Sequence, residues 1–411
     1  MTQRYDYLIV GGGLAAASAV EGIRDHDLEG SILLLTEEGV PPYHRPPLSK
    51  EYLQSPDAGR ELLHVKPEEW FESQARVTLE TNQRILALDP KEMKVTSARG
   101  NVYRGERILL ATGGRARSLE VPGVGLPGVY TLRTVADSEA LRAAAREAGR
   151  AVLIGAGFIG MEVSASLAHY GVQSIVVEAE DRVWPMLLPP ELSSFVQEQF
   201  EEQSVQFRLG SRLRAFRGDG RLEAVVLDDG SEIPCQMAVI GVGMIANDEL
   251  AADAGLAARD GIVVDAYGET THAHIYAAGD VARYPDPIFG GTARVEHWDH
   301  ARAHGRRVGR NMTGARIAYD YLSYFFSTVF DLKLNMYGRP AGADRVVVRG
   351  TLGEGPSVAF CAADGRIVGA VLINAVGEMD ACQALVRKRP QIDEIVDELV
   401  NPEIALDAVA G

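Results

Sequence analysis

A short apolar run ending in a glycine turn occurs twice in this chain, and that repetition limits its fold most tightly. The first copy is Tyr7-Leu-Ile-Val-Gly11-Gly-Gly13-Leu14-Ala15-Ala16 and the second is Ala151-Val-Leu-Ile-Gly155-Ala-Gly157-Phe158-Ile159-Gly160. Both read G-x-G-x-x-G/A and pass into helix-forming sequence. In a β-α-β unit the first glycine makes the tight turn and the second lets the backbone approach a pyrophosphate. The third small residue lets helix pack on strand, and the helix N-terminus faces the anion. One such pattern arises for steric reasons in many folds. Two, each after a predicted strand and each followed by an acidic residue about one β-α-β unit later, point to two bound dinucleotides. A chain that holds two dinucleotides usually passes electrons between them.

The first unit is expected to run from a strand over 7–10 through an alanine-rich helix over 15–24 to a strand over 31–35. It ends at Thr36-Glu37-Glu38, and Glu37 is the candidate ribose-binding acid, slightly beyond the usual offset of about 20 residues. The second unit repeats this with a strand over 151–154, a helix over 159–170 and a strand over 174–177. There Glu178 would accept from the adenine-ribose hydroxyls and repel a 2′-phosphate, favouring NADH over NADPH. Arg182 nearby could soften that preference or stack on adenine. Residues 76–110 read as a β-meander with a turn at 98–101, closing on Ala111-Thr112-Gly113. A second meander over 206–227 precedes a buried strand that exits at Gly241-Val-Gly243. Each half thus reads β-α-β, meander, buried strand, glycine-rich exit. Another buried strand ends at Gly279-Asp280. A helix over 135–150 leads into the second turn and another spans 301–311. Beyond 321, strands over 332–337, 345–349, 357–361 and 367–373 and then two helices suggest a separate α+β domain.

At 411 residues, two or three domains are expected. The apolar fraction of 46% and charged fraction of 24% suit a soluble globular protein. No apolar run approaches the roughly 20 residues of a membrane span. Strand-like sequence begins by Tyr5 and leaves no room for a signal peptide, so a cytoplasmic location is expected. Cys235, Cys361 and Cys382 form no C-x-x-C pair, which argues against a disulfide framework, a zinc site or an iron–sulfur cluster. A net charge of −16 repels nucleic acid, and an acidic protein partner would need a local basic patch. Arg302, Arg306 and Arg310 recur every four positions on a predicted helix, and Arg387, Lys388 and Arg389 could extend that stripe. Such a run is ordinarily a solvated face, but it also suits docking of an acidic redox protein. His297, His300 and His304 share one helical face. Interleaved arginines and the lack of a converging carboxylate cluster argue against a metal there.

The most unusual segment is Pro41-Pro-Tyr43-His44-Arg45-Pro-Pro-Leu-Ser-Lys50, stiffened by four prolines that each fix φ. Lys50 is either a surface lysine or a cation set where a flavin ring would gain negative charge. Glu162, placed on the first turn of the second nucleotide helix, benefits from the helix dipole and is a candidate partner for Lys50. Asp280 could accept from a ribityl hydroxyl. Arg45, Arg115 and Arg133 are candidate pyrophosphate or flavin contacts.

These motifs, with Pro46-Pro-Leu-Ser-Lys50, Ala111-Thr-Gly-Gly-Arg115, Leu132-Arg133-Thr134, Gly155-Ala-Gly-Phe-Ile-Gly-Met-Glu162, Ile240-Gly-Val-Gly243 and Tyr276-Ala-Ala-Gly-Asp280, run through essentially the whole chain. Together they resemble the FAD-dependent NAD(P)H:ferredoxin reductase family of bacterial oxygenase systems, the putidaredoxin-reductase-like group. The resemblance implies an α/β fold with two Rossmann-like dinucleotide-binding domains of the glutathione-reductase type and a C-terminal α+β domain. FAD would bind a discontinuous domain, 1–113 and 244–320, NAD would bind 114–243, and 321–411 would close the chain. It implies FAD contacts from Gly11, Gly13, Leu14, Ala15 and Ala16, from Glu37, Arg45, Lys50 and Ile85, and from Ala111, Thr112 and Gly113. Arg133, Gly279, Asp280, Glu296, His297 and Trp298 complete that set. NAD would meet Gly155, Gly157, Phe158, Ile159, Gly160 and Glu162, then Glu178, Arg182, Gly241 and Gly243. Lys50 and Glu162 would pair beside the flavin and nicotinamide rings. The implied cycle is hydride transfer from NADH to FAD and release of electrons singly to a [2Fe–2S] ferredoxin, by a monomer or a homodimer.

The acceptor end departs from the family pattern. Where ferredoxin reductases usually read F-W-S-D, this chain has Phe325-Phe326-Ser327-Thr328. The segments 294–301 and 319–332 look closer to monodehydroascorbate reductase and apoptosis-inducing-factor-like relatives. An arginine typical of monodehydroascorbate reductases is absent at Thr328, which disfavours that radical. A small acceptor such as a quinone, or a flavin redox-sensing role, are the competing expectations. Disulfide reduction needs a thiolate near the flavin, and Tyr43-His44 occupy that region.

Overall fold

The computed structural model describes residues 4–66, 68–74 and 76–411. The chain packs as two compact units, the first made of Met1–Arg45, Gly59–Arg115 and Met244–Ser323, the second of Pro46–Ala58, Ala116–Gly243 and Tyr324–Gly411. Residues 46–58, which the sequence places with the FAD-binding segment, thus pack with the nucleotide segment that follows. The C-terminal residues join the same unit.

In the first unit a parallel sheet runs in the order Val77–Glu80, Ile32–Leu35, Arg4–Val10, Val102–Leu110, with Ile275–Ala277 added to the last. Lys94–Ser97 and Ile85–Asp89 continue it antiparallel. Its central strands are nearly unbroken Val, Ile and Leu because both faces are covered. Successive side chains alternate faces: Leu8, Val10, Leu33 and Leu35 enter one core, Tyr7, Ile9, Ile32 and Leu34 the other. The second face is capped by helices Leu14–Arg24 and Trp298–Met312, which meet backbone to backbone. A Cβ on Gly305 would lie 2.2 Å from the Ala15 carbonyl oxygen, and one on Gly309 2.2 Å from that of Ala19.

The second unit holds a five-stranded parallel sheet in the order Gln206–Arg208, Gln173–Val177, Arg150–Ile154, Met237–Ile240, Val129–Thr131. Leu213–Arg217, Ala224–Leu227 and Glu232–Pro234 form a separate antiparallel sheet. The C-terminal part is an antiparallel sheet of Tyr324–Val329, Leu332–Gly338, Arg366–Ile373, Ser357–Ala363 and Arg345–Arg349 with helices Met379–Lys388, Ile392–Val400 and Leu406–Ala410.

Several expectations are corrected. Val77–Glu80 and Gln206–Arg208 do not open meanders; each adds a parallel strand beyond its β-α-β unit. The backbone groups along Ile32–Leu35 and Gln173–Val177 need partners when buried, and a short strand carries no direction of its own. The helix expected over 135–150 is Val135–Ala145, started by a Thr134/Asp137 capping box and stopping short of strand Arg150–Ile154. Helix 301–311 begins earlier, at Trp298. Helix Pro190–Glu202, strand Tyr324–Val329 and a third C-terminal helix were not anticipated. Among the described residues no helix is long and apolar enough to cross a membrane.

Candidate active site

Both glycine turns have the shape that a pyrophosphate requires. Gly11 has φ +127°, and a Cβ there would meet the Ala111 carbonyl oxygen at 2.1 Å. Gly155 repeats this with φ +102° and the Gly241 carbonyl oxygen at 2.6 Å. Helices Leu14–Arg24 and Phe158–Ala168 follow directly, with Gly13 and Gly157 as N-caps. Neither helix has a side-chain cap or an acidic residue in its first turn. The first N–H groups of each helix lack intrahelical acceptors, and nothing in either chain stretch competes with an anion for them. The space beside Gly13 is open to at least 4 Å. The residues present fit two dinucleotides.

The first turn's surroundings are tied together in the same unit. Ala111 N–H donates to Val10 and Gly11 N–H to Leu35. Thr112 Oγ1 donates to the Asn247 carbonyl at 2.7 Å while Asn247 Nδ2 returns a bond to the Thr112 carbonyl at 3.0 Å. Gly113 accepts from Asn247 N–H. Asn247, which no motif marks, therefore holds the Ala111-Thr112-Gly113 exit. Arg115 is committed to Asn247 and Glu249. Glu37 is exposed and lies 3.5 Å from Arg84, whereas its neighbour Glu38 receives both Arg45 and the Tyr43 hydroxyl. Burial works against the Arg45 charge, but Tyr43, Glu38 and Asp280 outweigh it and hold the guanidinium above its ordinary value. Trp298 Nε1 donates to His44 Nδ1 at 2.9 Å. Arg294 bonds Glu296 and the Asp280 carbonyl. His297 caps the helix that Trp298 begins. Ile85 opens its strand, half-buried. Arg133 belongs to the second unit, where its N–H donates to Asp137.

At the second turn, Glu178 is fixed from both oxygens: Oε2 accepts from Ala156 N–H at 2.6 Å and Oε1 from Glu180 N–H at 3.0 Å. Arg182 bonds Asp181 and the Pro185 carbonyl. Gly241 N–H donates to Ile154, and Gly243 takes φ +96°. Phe158 stacks on Phe325 with ring centroids 3.5 Å apart and leans on Trp184 at 5.6 Å.

The segment Pro46–Ala58 carries Lys50 and is sewn to the second unit through its carbonyls. Ser138 Oγ donates to Leu48, Ser166 Oγ to Ser49 and the Tyr170 hydroxyl to Leu53. Arg142 donates to Ser55 and Ala58, both at 3.1 Å. Lys50 is held so that Nζ meets Glu162 Oε2 at 2.9 Å, with Lys50 5% and Glu162 4% exposed. Glu162 sits in the second turn of its helix rather than the first, because the helix begins at Phe158. Its carboxylate also accepts from Ser49 Oγ at Oε2 and from Ser327 Oγ at Oε1, the latter at 2.6 Å. Sequence reasoning gave neither serine a role, although Ser49 stands inside Pro46-Pro-Leu-Ser-Lys50 and Ser327 inside the segment compared with F-W-S-D. Phe326 faces Lys50 with its ring centroid 6.0 Å from Nζ, and Thr328 is exposed.

The basic stripe is less free than its spacing suggests. Arg306 and Arg310 both clasp Asp25, at 2.9 and 2.7 Å, and Arg302 bonds Asp299. Arg306 foremost, then Arg310, hold the Asp25 carboxyl down at about 2. Lys388 turns back to the carbonyls of Ala410 and Gly411, and Arg389 ends its helix in a left-handed cap. Among the described residues no cluster could hold a metal ion. All three cysteines are buried in the second unit, with burial raising Cys235 to about 11 and Cys361 and Cys382 to about 12. They are thiols, not thiolates.

Residues 5–305 match the pyridine nucleotide-disulphide oxidoreductase family, and residues 324–410 match the reductase C-terminal domain. The chain belongs to that oxidoreductase family, whose members use FAD and NAD(H). It is 37% identical to rhodocoxin reductase of Rhodococcus erythropolis over 89% of this chain and 86% of that protein. Among solved structures it is similar to the ferredoxin reductase for the CYP199A2 system from Rhodopseudomonas palustris, with a TM-score of 0.94 and 34% identity, covering 99% of this chain and 100% of that one. The putidaredoxin reductase–putidaredoxin covalent complex gives a TM-score of 0.92 at 28% identity, covering 98% of each chain.

Proposed function

We propose that this chain is a cytoplasmic, FAD-dependent oxidoreductase that takes hydride from NADH and passes electrons singly to a [2Fe–2S] ferredoxin-type carrier. The observation that carries the reading is the buried pair between Lys50, on the Pro46–Ala58 segment, and Glu162, on the helix of the second glycine turn, in a chain whose cysteines are all buried thiols. When bound, FAD accepts a hydride equivalent from NADH and can release the electrons one at a time.

The chain's own residues orient and tune that chemistry. Gly11, Gly13 and the N-terminus of Leu14–Arg24 hold the FAD pyrophosphate; Gly155, Gly157 and the N-terminus of Phe158–Ala168 hold that of NADH. Glu178 selects the ribose. Lys50 would supply a buried positive charge to a bound flavin, and Glu162, braced by Ser49 and Ser327, holds Lys50 in place.

For the partner, the similarity to a reductase solved with putidaredoxin supports a ferredoxin-type carrier. Arg302, Arg306 and Arg310 are the proposed dock, with Arg387, Lys388 and Arg389 as a second basic cluster. Asp25 pre-orders two of the guanidiniums but cancels part of their charge. The test is NADH-driven cytochrome c reduction with and without an added [2Fe–2S] ferredoxin. Ferredoxin dependence that weakens with salt supports the reading; equal rates with ferredoxin or with a quinone alone would overturn it. Arg306→Glu with Arg310→Glu should lower the ferredoxin-dependent rate and spare ferricyanide reduction. Loss of neither rate removes the dock.

A further inference from the structure

We propose that His304 is a positioning residue for the flavin site, its Nδ1 fixing the Gly279–Asp280 turn and so placing the Asp280 carboxylate. The inference rests on the reading of Asp280 as a flavin contact and adds a residue that no motif marks.

Gly279 begins a short 3-10 turn with φ +77°, and a Cβ there would come 2.7 Å from the Ala15 Cβ on the first glycine-turn helix. Such a turn, wedged against the helix that faces the pyrophosphate, needs its buried N–H satisfied. His304 does this: Gly279 N–H donates to its Nδ1 at 3.3 Å, both residues buried. Gly305, next in the chain, packs on the Ala15 carbonyl, so the imidazole's backbone is pinned to the same helix it serves.

An acceptor Nδ1 requires a neutral ring with its proton on Nε2. The surroundings enforce this. His304 lies in an aromatic box with Tyr319, His300 and Tyr284, ring centroids 4.5, 4.9 and 5.4 Å away. Burial first, and the Arg307 charge second, push its pKa down to about 3. His300 is likewise lowered by burial and bonds Tyr319 through its own Nδ1. The Nε2 of His304 has no hydrogen-bond partner among the described residues. Leaving a buried N–H unpaired is costly, and a retained, unsatisfied group calls for a reason. The reason is the other nitrogen: no apolar side chain of this size could accept from Gly279.

The test titrates apoprotein with FAD, following recovery of the bound-flavin spectrum, for the wild type and for His304→Leu, His304→Gln and Asp280→Asn. His304→Leu should weaken FAD binding about tenfold, the worth of one buried hydrogen bond. His304→Gln, whose amide oxygen can accept, should restore most of it. Equal weakening by Leu and Gln, or none by Leu, overturns the role of Nδ1. If Asp280→Asn leaves FAD affinity unchanged, the flavin reading of Asp280 fails and this inference with it. Nitrogen-15 spectra of histidine-labelled holoprotein supply a check independent of any variant's folding. A bare Nδ1 and protonated Nε2 for His304 are expected; the opposite tautomer or an imidazolium would overturn the proposal.

Discussion

Lys50 and Glu162 meet at 2.9 Å with both side chains almost wholly out of water. Their meeting depends on segments far apart in the chain: a proline-stiffened strap bound by its carbonyls, a nucleotide helix, and a C-terminal strand that adds Ser327. Taking two charges out of water is costly unless the remaining bonding capacity is filled. On the Glu162 carboxylate the two serines fill it.

Breaking the pair should therefore harm stability and chemistry together. Lys50→Met leaves a buried carboxylate without its cation, a loss of about 3–5 kcal/mol by the usual behaviour of such pairs. It should also slow flavin reduction by NADH about 100-fold, as expected for one preorganised electrostatic group. The double variant with Glu162→Gln should regain stability but not rate, a split readable by urea unfolding and stopped-flow absorbance. A Lys50→Met protein that reduces its flavin at the wild-type rate would remove Lys50 from the chemistry.

Ser327→Ala should destabilise the second unit by about 1–2 kcal/mol, because Glu162 Oε1 loses its donor in a buried place. Thr328→Ala, one residue along and exposed, should stay within about 0.5 kcal/mol of the wild type. Urea midpoints at constant m-value compare the two. Equal effects at both positions would mean that the serine does not brace the carboxylate.

Glu178 is aimed by two backbone N–H groups before any nucleotide arrives. Glu178→Ser should raise the NADPH to NADH ratio of kcat/KM at least about tenfold, since a carboxylate facing a 2′-phosphate is removed. An unchanged ratio would shift coenzyme choice to other residues.

Acid should weaken the first unit from about pH 6.5 downward. His297 is held down to about 4 and His304 to about 3, by burial before any other cause, and His300 is lowered too. Free imidazole titrates near 6.5. As pH falls below that value the unfolded chain takes up protons that the folded chain refuses, so stability is lost on acidification. Each such ring adds up to about 1.4 kcal/mol per pH unit. Asp25, depressed to about 2 by its arginines, acts only below about 4. A thermal midpoint that falls from pH 7.5 to pH 5, with a shallower fall in His304→Gln, is expected; a flat midpoint would show that these rings are not buried neutral.

The three thiols should resist alkylation in the native protein and react only on unfolding, since the thiolate is the nucleophile and all three pKa values are raised by burial. Rapid native labelling would reopen the thiol chemistry that the family's name suggests.

What could be read before folding was what geometry demands locally. Gly11 and Gly155 are legible because only glycine tolerates those turns against a carbonyl. Lys50 and Glu162 are legible through their motifs, but not the way they are held. Ser49, Ser327, Asn247 and His304 are single residues of common types, brought to their partners by packing. Val77–Glu80 and Gln206–Arg208 looked like the starts of meanders because strand direction is decided by the neighbouring edge. Tyr324–Val329 was hidden in an aromatic run without alternation. Arg306 and Arg310 read as a free stripe because Asp25, just past the end of another helix, is invisible to periodicity.

The most direct measurement is anaerobic double-mixing stopped flow on the holoprotein. NADH is mixed first, and an oxidised [2Fe–2S] ferredoxin second. The account predicts fast bleaching of the flavin by NADH, slowed in Lys50→Met. Rapid, salt-sensitive reoxidation should follow, with two ferredoxins reduced for each NADH consumed. A flavin that NADH bleaches but ferredoxin leaves reduced, while a quinone reoxidises it promptly, would contradict it.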